Sequence, residues 1–387
     1  MCLNFFYNLF LDYKMNINTQ ILEYVWLDKN SNLRSKIRTL GEDFMLNYNL
    51  LMHLNIDLNK SKDSKKLADG LIWSYDGSST GQANGDNSEI LIKPLYIIQN
   101  AYLNSKFNVE NYYITICQTF NSDLEPLENN YYHENLKNLK RDENELPCFG
   151  FEQEFFIMQK DEDNLTKSGN KPIGMEENTN SQDSQQYYCS VGSQNSFGRE
   201  LVNVVYDLGL ESGLYLSGLN AEVAIGQWEI QVGPVYGIEA CHQLWLLRYF
   251  LLRVSEDFDV TISFHPKPLT NWNGSGLHTN FSNKFMRKKC SNPTDQEKVY
   301  QYIESYVKKL GKKHDETMKN YGKFNELRMT GIHETADYKK YSYGVANRGT
   351  SIRIPRTVYI NKHGYFEDRR PASNADPYLI YKELMDL

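Results

Sequence analysis

The sequence predicts an α+β fold in which a β-rich N-terminal half precedes a larger half that mixes strands with helices. Short runs rich in Ile, Val, Tyr and Phe partly alternate with polar residues, which is typical of half-buried strands. These predicted strands are 21–28, 89–94, 112–120, 151–158 and 260–264. A long polar connector at 121–146 interrupts the pattern, and helical patterns follow it.

Three helices are predicted in the second half, at 197–213, 239–258 and 295–310. In each of them apolar residues recur at i, i+3 and i+4, for example at Leu244, Leu247 and Leu251, so that one face is apolar. Such helices are expected to pack on a sheet. The hydrophilic segment 160–186 lacks this periodicity and is predicted to be a surface insertion.

The overall charge and composition exclude several classes of protein. The 387 residues include 42 Lys and Arg against 49 Asp and Glu, and the net charge of −7 argues against nucleic acid or a membrane surface as a partner. Apolar residues make up 40% of the chain, enough for a sizeable core, but no run of ~18 apolar residues could span a bilayer. Six scattered cysteines without a C-x-x-C pair indicate reduced thiols and a cytoplasmic protein.

Two glutamates in an apolar strand are the first candidates for a functional site. Glu152 and Glu154 are separated by one residue in PCFGFEQEFFIM, which puts both carboxylates on one face of the strand. Two like charges side by side in apolar surroundings are unfavourable unless a cation joins them. A solvated strand face would explain them equally well, so the acids elsewhere in the chain decide between these interpretations.

Further candidate ligands occur in short segments rich in Gly and aromatic residues. They are Glu222, Glu229, His278 and Glu367. Each alone has an ordinary structural explanation, but together with Glu152 and Glu154 they would suit two or more Mg²⁺ or Mn²⁺ ions, which prefer oxygen ligands. Zinc is disfavoured because it prefers Cys and His ligands.

Arginines are concentrated close to these acids in the sequence. They are Arg328, Arg348, Arg353, Arg356, Arg369 and Arg370. Planar guanidinium groups suit phosphate oxygens and substrate carboxylates, so metals and arginines together indicate phosphoryl transfer. Surface salt bridges are the alternative, although Arg353 lies between apolar neighbours, where an unpaired charge is unfavourable. Neither a P-loop nor a Rossmann nucleotide motif is present in the sequence.

Two further acids lie outside these groups. Asp76 is in the turn YDGSSTGQ, and Glu334 is in TGIHETAD, a loop that could close over a site. Taken singly, each fits a structural role.

Eight sequence blocks together resemble glutamine synthetase of the eukaryotic type. They are YDGSSTGQA (75–83), FGFEQE (149–154), YYCSVG (187–192), NAEVAIGQWEIQVGP (220–234), NWNGSGLHTNFS (271–282), TGIHETAD (330–337), GVANRGTSIRIPR (344–356) and GYFEDRRPASNADPY (364–378). The blocks occur in the family's order and, with a further match at 23–40, cover most of residues 21–378. No single short motif has to carry the assignment.

The resemblance implies a domain organisation and an assembly. Residues 1–19 are aromatic but interrupted by Asn4, Asn8 and Asp12, and are predicted to form a packed N-terminal arm. The resemblance implies a β-grasp domain at 20–118 and a larger catalytic domain at 119–387, with a curved antiparallel sheet and flanking helices. It also implies a homo-oligomer, a decamer of two pentameric rings, with active sites between subunits. The implied ligands are L-glutamate, ammonium, ATP as co-substrate, and two or three Mg²⁺ or Mn²⁺ ions per site.

The resemblance also assigns roles to the candidate residues. The metal ligands would be Glu154, Glu222 and Glu229 for one ion, and Glu152, His278 and Glu367 for the other ion or ions. The ATP-binding residues would be Glu229, Ile230, Gln231, Val232, Gly233, Pro234, Asn280, Phe281, Ser282, Arg348, Arg353, Tyr365 and Phe366. The glutamate-binding residues would be Asn271, Trp272, Asn273, Gly274, Arg328 and Arg369. Of the catalytic residues, Arg348 would support phosphoryl transfer, Asp76 of a neighbouring subunit would bind ammonium and take its proton, and Glu334 would close a flap.

The activity implied is ATP-dependent ligation of ammonia to L-glutamate through γ-glutamyl phosphate, giving L-glutamine, ADP and phosphate. Cys148 departs from the family pattern, which has Trp here, so a stacking surface near the nucleotide is expected to be lost. One alternative is a catalytically degenerate relative with a structural or assembly role, which the retained metal ligands disfavour. The other is a ligase for a larger amine, and the retained Asp76 and Glu334 favour ammonium over it.

Overall fold

The computed structural model describes residues 19–41, 66, 68–160, 168–176, 179 and 187–387. The chain divides into two compact units, and the division falls between Asn130 and Tyr131. The predicted N-terminal arm at 1–19 lies outside the described residues except for its last residue. The predicted domain boundaries stay predictions.

The first unit contains a five-stranded sheet in the order β2-β1-β5-β4-β3. Its strands are β1 (Gln20–Leu27), β2 (Leu33–Leu40), β3 (Trp73–Asp76), β4 (Glu89–Gln99) and β5 (Tyr112–Phe120). β1 and β5 are parallel, and the other neighbouring strands are antiparallel. A short helix, α1 (Ala101–Phe107), connects β4 to β5 and begins at Asn100, whose side chain accepts a hydrogen bond from the amide of Leu103.

The end of β3 carries the candidate catalytic residue Asp76 into a tight turn. A Cβ atom on the next residue, Gly77, would lie 2.3 Å from Cγ1 of Ile90 in β4, so a larger residue does not fit there. The turn therefore leaves the sheet immediately after Asp76 and keeps this carboxylate at the exposed end of the strand.

The second unit contains a nine-stranded sheet, in which β12-β13-β14-β11-β6-β9-β8 form one continuous path. Its strands are β6 (Cys148–Lys160), β7 (Ser168–Pro172), β8 (Leu216–Ala221), β9 (Gln227–Tyr236), β10 (Val260–Ser263), β11 (Leu277–Ser282), β12 (Tyr343–Val345), β13 (Ile352–Ile354) and β14 (Phe366–Asp368). The long central strand β6 also pairs with β7 and β10. Part of the hydrophilic segment predicted as a surface insertion thus joins the sheet as β7.

Helices flank this sheet. They are α2 (Tyr131–Glu134), α3 (Leu136–Glu145), α4 (Arg199–Glu211), α5 (Glu239–Asp257), α6 (Pro293–Lys312), α7 (His314–Thr317), α8 (Asn325–Arg328), α9 (Arg356–Asn361) and α10 (Pro377–Met385). The buried helix α5 packs against α4, β9 and β10. The three helices predicted from apolar periodicity correspond to α4, α5 and α6, and the predicted α+β fold is confirmed. Among the described residues, no helix combines the length and the hydropathy that a bilayer span requires.

Candidate active site

One cavity in the second unit, with a volume of about 410 Å³, gathers most of the predicted site residues. Those that line it are Glu152, Glu154, Glu222, Glu229, Gln231, Asn273, Gly274, His278, Arg328, Glu334, Arg348, Arg353, Glu367 and Arg369. Six of these side chains are carboxylates and four are guanidinium groups. The cavity therefore holds groups that attract cations beside groups that attract anions.

Strand register places the candidate metal ligands next to one another. His278 in β11 lies opposite Glu152 in β6, and Glu229 in β9 lies opposite Glu154. Glu367 in β14 is one strand further along and lies opposite Asn280 of β11. Directly opposite residues on neighbouring antiparallel strands lie about 5 Å apart and on the same face of the sheet. Four adjacent strands thus deliver their ligands to one place.

The ligand atoms form two overlapping groups. In one group, atoms of Glu152, His278 and Glu367 all lie within 4.8 Å of one another, and in the other, atoms of Glu154, Glu229 and His278 do so. The first matches the set predicted for the second metal. Glu222 lines the cavity but belongs to neither close group, and the second group contains His278 instead. The role of Glu222 as a metal ligand stays a prediction. Carboxylate oxygens with one imidazole fit Mg²⁺ or Mn²⁺, so the chemistry of the donor set agrees with the implied metals.

Burial and mutual repulsion raise the pKa values of three of these carboxylates. Burial, together with the charges of Glu222 and Glu229, holds the pKa of Glu154 well above its usual range. Burial raises the pKa of Glu222 to about 7, and burial with the charges of Glu152 and Glu222 raises the pKa of Glu229 to about 8. A divalent cation would displace the shared protons and relieve the repulsion.

His278 is prepared to act as a neutral ligand. Burial, followed by the positive charge of Arg369, holds the pKa of His278 well below its usual value. Its Nδ1 atom lies 3.3 Å from Oε2 of Glu152 and 3.8 Å from oxygens of Glu154 and Glu367. An imidazole without its second proton offers a lone pair to a metal.

We expect the stability of the metal-free protein to fall as the pH rises from 6 to 9. The folded state binds more protons than the unfolded chain between the usual glutamate pKa and the raised values of about 7 and 8 at Glu222 and Glu229, so the free energy of unfolding decreases over this window. Thermal unfolding in EDTA, measured across this range, should show a falling Tm, and Mg²⁺ or Mn²⁺ should abolish the decline. A Tm that rises with pH in EDTA would contradict this account.

Arginines neutralise the side of the cavity formed by Glu367. This fully buried carboxylate forms ion pairs with Arg353 and with Arg369, whose Nη1 lies 2.7 Å from Oε1. The charge of Arg353, which lies between apolar neighbours in the sequence, is therefore paired with Glu367. Arg369 also donates from Nε to the carbonyl of Arg348 and from Nη2 to the carbonyl of Glu334. Through these bonds Arg369 connects the metal ligands with the loop predicted to be a flap.

The flap residue Glu334 lies at the cavity rim with a cation nearby. Its Oε2 atom is 3.5 Å from Nη1 of Arg348, and both side chains are about half exposed. The backbone of Glu334 has a φ of 59° and that of His333 a φ of 53°. Two consecutive residues in the left-handed region form a sharp bend that points this carboxylate side chain into the cavity lining.

Four of the six predicted glutamate-binding residues line the cavity. Arg328 is buried and donates from Nη2 to the carbonyls of Arg369, Arg370 and Pro371, and burial lowers its pKa to about 10. Gly274 packs closely against it, because a Cβ atom would lie 2.3 Å from the carbonyl oxygen of Pro266 and 2.7 Å from Cγ of Arg328. Asn273 and Gly274 line the cavity, whereas Asn271 and Trp272 do not.

Most of the predicted ATP-binding segments lie outside the cavity lining. They are Ile230, Val232, Gly233, Pro234, Asn280, Phe281, Ser282, Tyr365 and Phe366. The side chains of Ile230, Phe281 and Phe366 are fully buried in the core, so a nucleotide could meet these segments only through their backbone or their neighbours. Asn280 does reach the site indirectly, because its Nδ2 donates to Oε1 of Glu152 over 2.8 Å.

Cys148, one of the departures from the family pattern, is half-buried at the start of β6. It lies opposite Tyr236 in β9 and opposite Ser282 in β11. The guanidinium group of Arg287 lies 5.4 Å from the centre of the Tyr236 ring. An aromatic ring is thus present beside this position, although the position itself has none.

Asp76 belongs to the first unit. Its carboxylate accepts hydrogen bonds from the hydroxyl groups of Ser78 and Ser79 and from the amide of Ser78. These donors lower the pKa of Asp76 to about 2. The exposed carboxylate is therefore fully charged at neutral pH, as attraction of a cation requires.

Several cavity residues were not singled out from the sequence. They are Tyr188, Asn220, Val223, Gln227, His333 and Thr335. All of them lie inside the Gly-rich and aromatic blocks that carry the family resemblance. Their position close to a candidate ligand within such a block is the feature of the sequence from which they could have been predicted.

The donor groups, the arginines and their shared cavity define a class of protein, the metal-dependent enzymes that transfer phosphoryl groups. A family model described as "Glutamine synthetase, catalytic domain" matches residues 131–385. The chain belongs to the glutamine synthetase family.

Curated relatives resemble the chain over nearly its whole length. A glutamine synthetase of Neurospora crassa is 41% identical over 368 residues, which are 95% of this chain and 91% of the relative. One of Saccharomyces cerevisiae is 43% identical over 93% of this chain and 86% of the relative, and one of Fusarium solani subsp. phaseoli is 40% identical over 96% and 94%. The glutamine synthetase function predicted from the sequence is thereby confirmed, and the family uses ATP and a divalent metal.

Proposed function

We propose that the cavity catalyses the ATP-dependent ligation of ammonia to L-glutamate, giving L-glutamine, ADP and phosphate. The observation that carries this proposal is the convergence of two carboxylate–imidazole groups, four arginines and the 273–274 loop on one cavity. Cation ligands and anion-binding groups side by side suit a reaction that transfers a phosphoryl group from a nucleoside triphosphate to a carboxylate.

The chemistry requires activation of the γ-carboxylate of glutamate. One of its oxygens attacks the γ-phosphorus of ATP, ADP leaves, and the product is γ-glutamyl phosphate. Ammonia then attacks the acyl carbon, and phosphate leaves with the oxygen. Arg348 and Arg353 bind the phosphate oxygens, and Arg328 and Arg369 orient glutamate against them.

Two or three Mg²⁺ or Mn²⁺ ions would neutralise the phosphoryl group during transfer, held by Glu152, Glu154, Glu222, Glu229, His278 and Glu367. The ligand atoms of Glu152, Glu154, Glu229, His278 and Glu367 lie close together because the sheet register fixes the backbones of these residues. The candidate metal ligands are therefore in place before the substrates bind.

Asp76 of a neighbouring subunit attracts ammonium to this site in our proposal. Its hydrogen bonds to Ser78 and Ser79 stabilise the charged form, so this arrangement suits attraction of the cation better than removal of its proton. Proton transfer to Asp76 would follow once these donors turn away. The proposed assembly is a decamer of two pentameric rings, and the proposed location is cytoplasmic, with which the five free cysteines of the described residues agree.

The test of this function is a single assay. Phosphate release from ATP should require glutamate, ammonium and Mg²⁺ or Mn²⁺ together, and glutamine should form in equal amount. Release that is indifferent to ammonium, with methylamine or a polyamine working better, would favour the ligase for a larger amine. No turnover with any amine would favour the degenerate relative.

We expect Glu334→Ala to uncouple ATP use from glutamine synthesis. Without this carboxylate at the cavity rim, water reaches γ-glutamyl phosphate, and phosphate release without ammonium should rise about tenfold. The ratio of phosphate to glutamine measures the effect. Asp337→Ala is the matched control, because this acid of the same loop accepts a bond from the amide of Lys339 and does not line the cavity. An unchanged ratio in Glu334→Ala would remove its protective role.

A further inference from the structure

Gln227 is a buried polar residue of the cavity wall to which the proposed chemistry gives no role. It is the first residue of β9, is 2% exposed, and lies opposite Phe156 of β6. Glu229 follows two positions later in the same strand and so faces the same side. The Gln227 side chain therefore enters the site from the strand that carries a candidate metal ligand.

The amide group of Gln227 bonds to three different parts of the site. Its Nε2 donates to Oε2 of Glu154 over 3.3 Å, to the carbonyl of Gly274 over 3.0 Å and to Oγ of Ser275 over 3.0 Å. Its Oε1 accepts from the amide of Ala224 over 3.2 Å. Since Nε2 has two protons for three acceptors, these contacts share them.

Gln227 also closes the turn that carries Glu222. Its backbone amide donates to the carbonyl of Ala224, and its carbonyl accepts from the amide of Glu222 over 2.9 Å. Side chain and backbone together therefore fix the 222–227 turn at both ends.

The orientation of Glu154 depends on this contact. Oε2 of Glu154 accepts from the amide of Gly276 over 2.7 Å and from Gln227. The other oxygen, Oε1, lies 3.8 Å from Nδ1 of His278. Two donors on one oxygen turn the second oxygen toward the candidate metal ligands, as outer hydrogen bonds do in metal sites.

We propose that Gln227 is a positioning residue that couples the metal carboxylate Glu154 to the glutamate-binding loop at 273–275. Its side-chain amide donates hydrogen bonds to Glu154 and to the loop at Gly274 and Ser275, and so fixes the position of each relative to the other. The metal site and the glutamate pocket therefore form together. The inference rests on the proposed function of the cavity. It concerns glutamate and metal binding and leaves the nucleotide contacts aside.

The experiment compares Gln227→Met with Gln243→Met in the full-length protein. Gln243 is an equally buried glutamine of α5, which accepts from the amide of Tyr215 and donates to Glu239 and does not line the cavity. Methionine keeps the length of the side chain and removes the amide. The measurements are Tm, the Kd for Mn²⁺ without substrates, and the KM values for glutamate and ATP.

For Gln227→Met we expect the KM for glutamate and the Kd for Mn²⁺ each to rise about tenfold, because buried partners lose their hydrogen bonds. The KM for ATP should stay within about twofold, and Gln243→Met should change only Tm. The proposal would be overturned if the Tm of Gln227→Met fell as much as that of Gln243→Met while the KM for glutamate and the Kd for Mn²⁺ stayed unchanged. A parallel rise in the KM for ATP would do the same.

Gln227→Glu keeps the experiment decisive if the methionine variant fails to fold. A Glu side chain at this position retains the acceptor for Ala224 and has at most one proton for the three acceptors on Glu154, Gly274 and Ser275. The KM for glutamate should again rise about tenfold, and an unchanged value would overturn the proposal. If the unaltered protein itself formed no glutamine from glutamate, ammonium and ATP, the proposed function would be refuted instead.

Discussion

Glu229→Gln should lower kcat by about a thousandfold while raising the Tm of the metal-free protein by about 2–4 °C. The catalytic loss follows because an amide replaces a carboxylate ligand in the group formed with Glu154 and His278. The gain in stability follows because the raised pKa of Glu229, about 8, reports that its charge is unfavourable beside Glu152 and Glu222. The oxygen that accepts from Gln231 is kept.

Opposite changes in activity and stability distinguish a functional carboxylate from a structural one. Glu383→Gln is the matched control, since this buried carboxylate accepts from Thr317 and Asn320 away from the cavity. It should lose stability and keep kcat within about twofold. The measurements are thermal unfolding in EDTA and steady-state kinetics in Mg²⁺. A Glu229→Gln protein that is both less stable and fully active would show that the carboxylate is structural.

The sequence was sufficient for the parts of the fold that local periodicity determines. The apolar spacing of Leu244, Leu247 and Leu251 predicts the helix that the structure contains as α5. The strands at 112–120 and 260–264 likewise correspond to β5 and β10 within one residue. β7 was missed because its residues, SGNKP, lack strand-forming side chains and depend on pairing with β6.

The candidate ligands could be selected from the sequence because charged residues in apolar, Gly-rich segments are rare without a partner. Their grouping could not, because it depends on which strands become neighbours. His278 lies between both carboxylate groups since β11 is next to β6 and β14, and no local pattern records that order.

Gln227 shows a different limit. Its three acceptors belong to residues 154, 274 and 275, which are distant from it in the chain. A glutamine in a strand has no sequence signal that separates a bridging role from a solvated one. Burial and hydrogen bonding, which only the folded chain defines, make that distinction.

Asp76→Asn should raise the KM for ammonium about a hundredfold while leaving the binding of ATP and glutamate within about twofold. The pKa of about 2 means that the change removes a full negative charge at neutral pH. Asparagine keeps the oxygen that accepts from Ser78, and its amide nitrogen takes the place of the oxygen that accepts from Ser79. The control is Asp86→Asn, which removes an equal charge from an exposed position in the next turn of the same unit. Equal weakening of ammonium, ATP and glutamate binding would show that Asp76 is structural.

Co-expression of Asp76→Asn with Glu229→Gln extends this prediction to the assembly. If each site takes Asp76 from one subunit and Glu229 from its neighbour, a random mixture of the two defective chains contains intact sites at about a quarter of the interfaces, which is measured at ammonium concentrations too low for Asp76→Asn to turn over. Activity should therefore recover to about a quarter of the unaltered level in mixed rings, and neither variant alone should show it. Sites confined to one subunit would carry a defect in every copy, because each chain lacks one of the two carboxylates. Absence of recovery in demonstrably mixed rings would therefore place Asp76 and Glu229 in the same subunit's site.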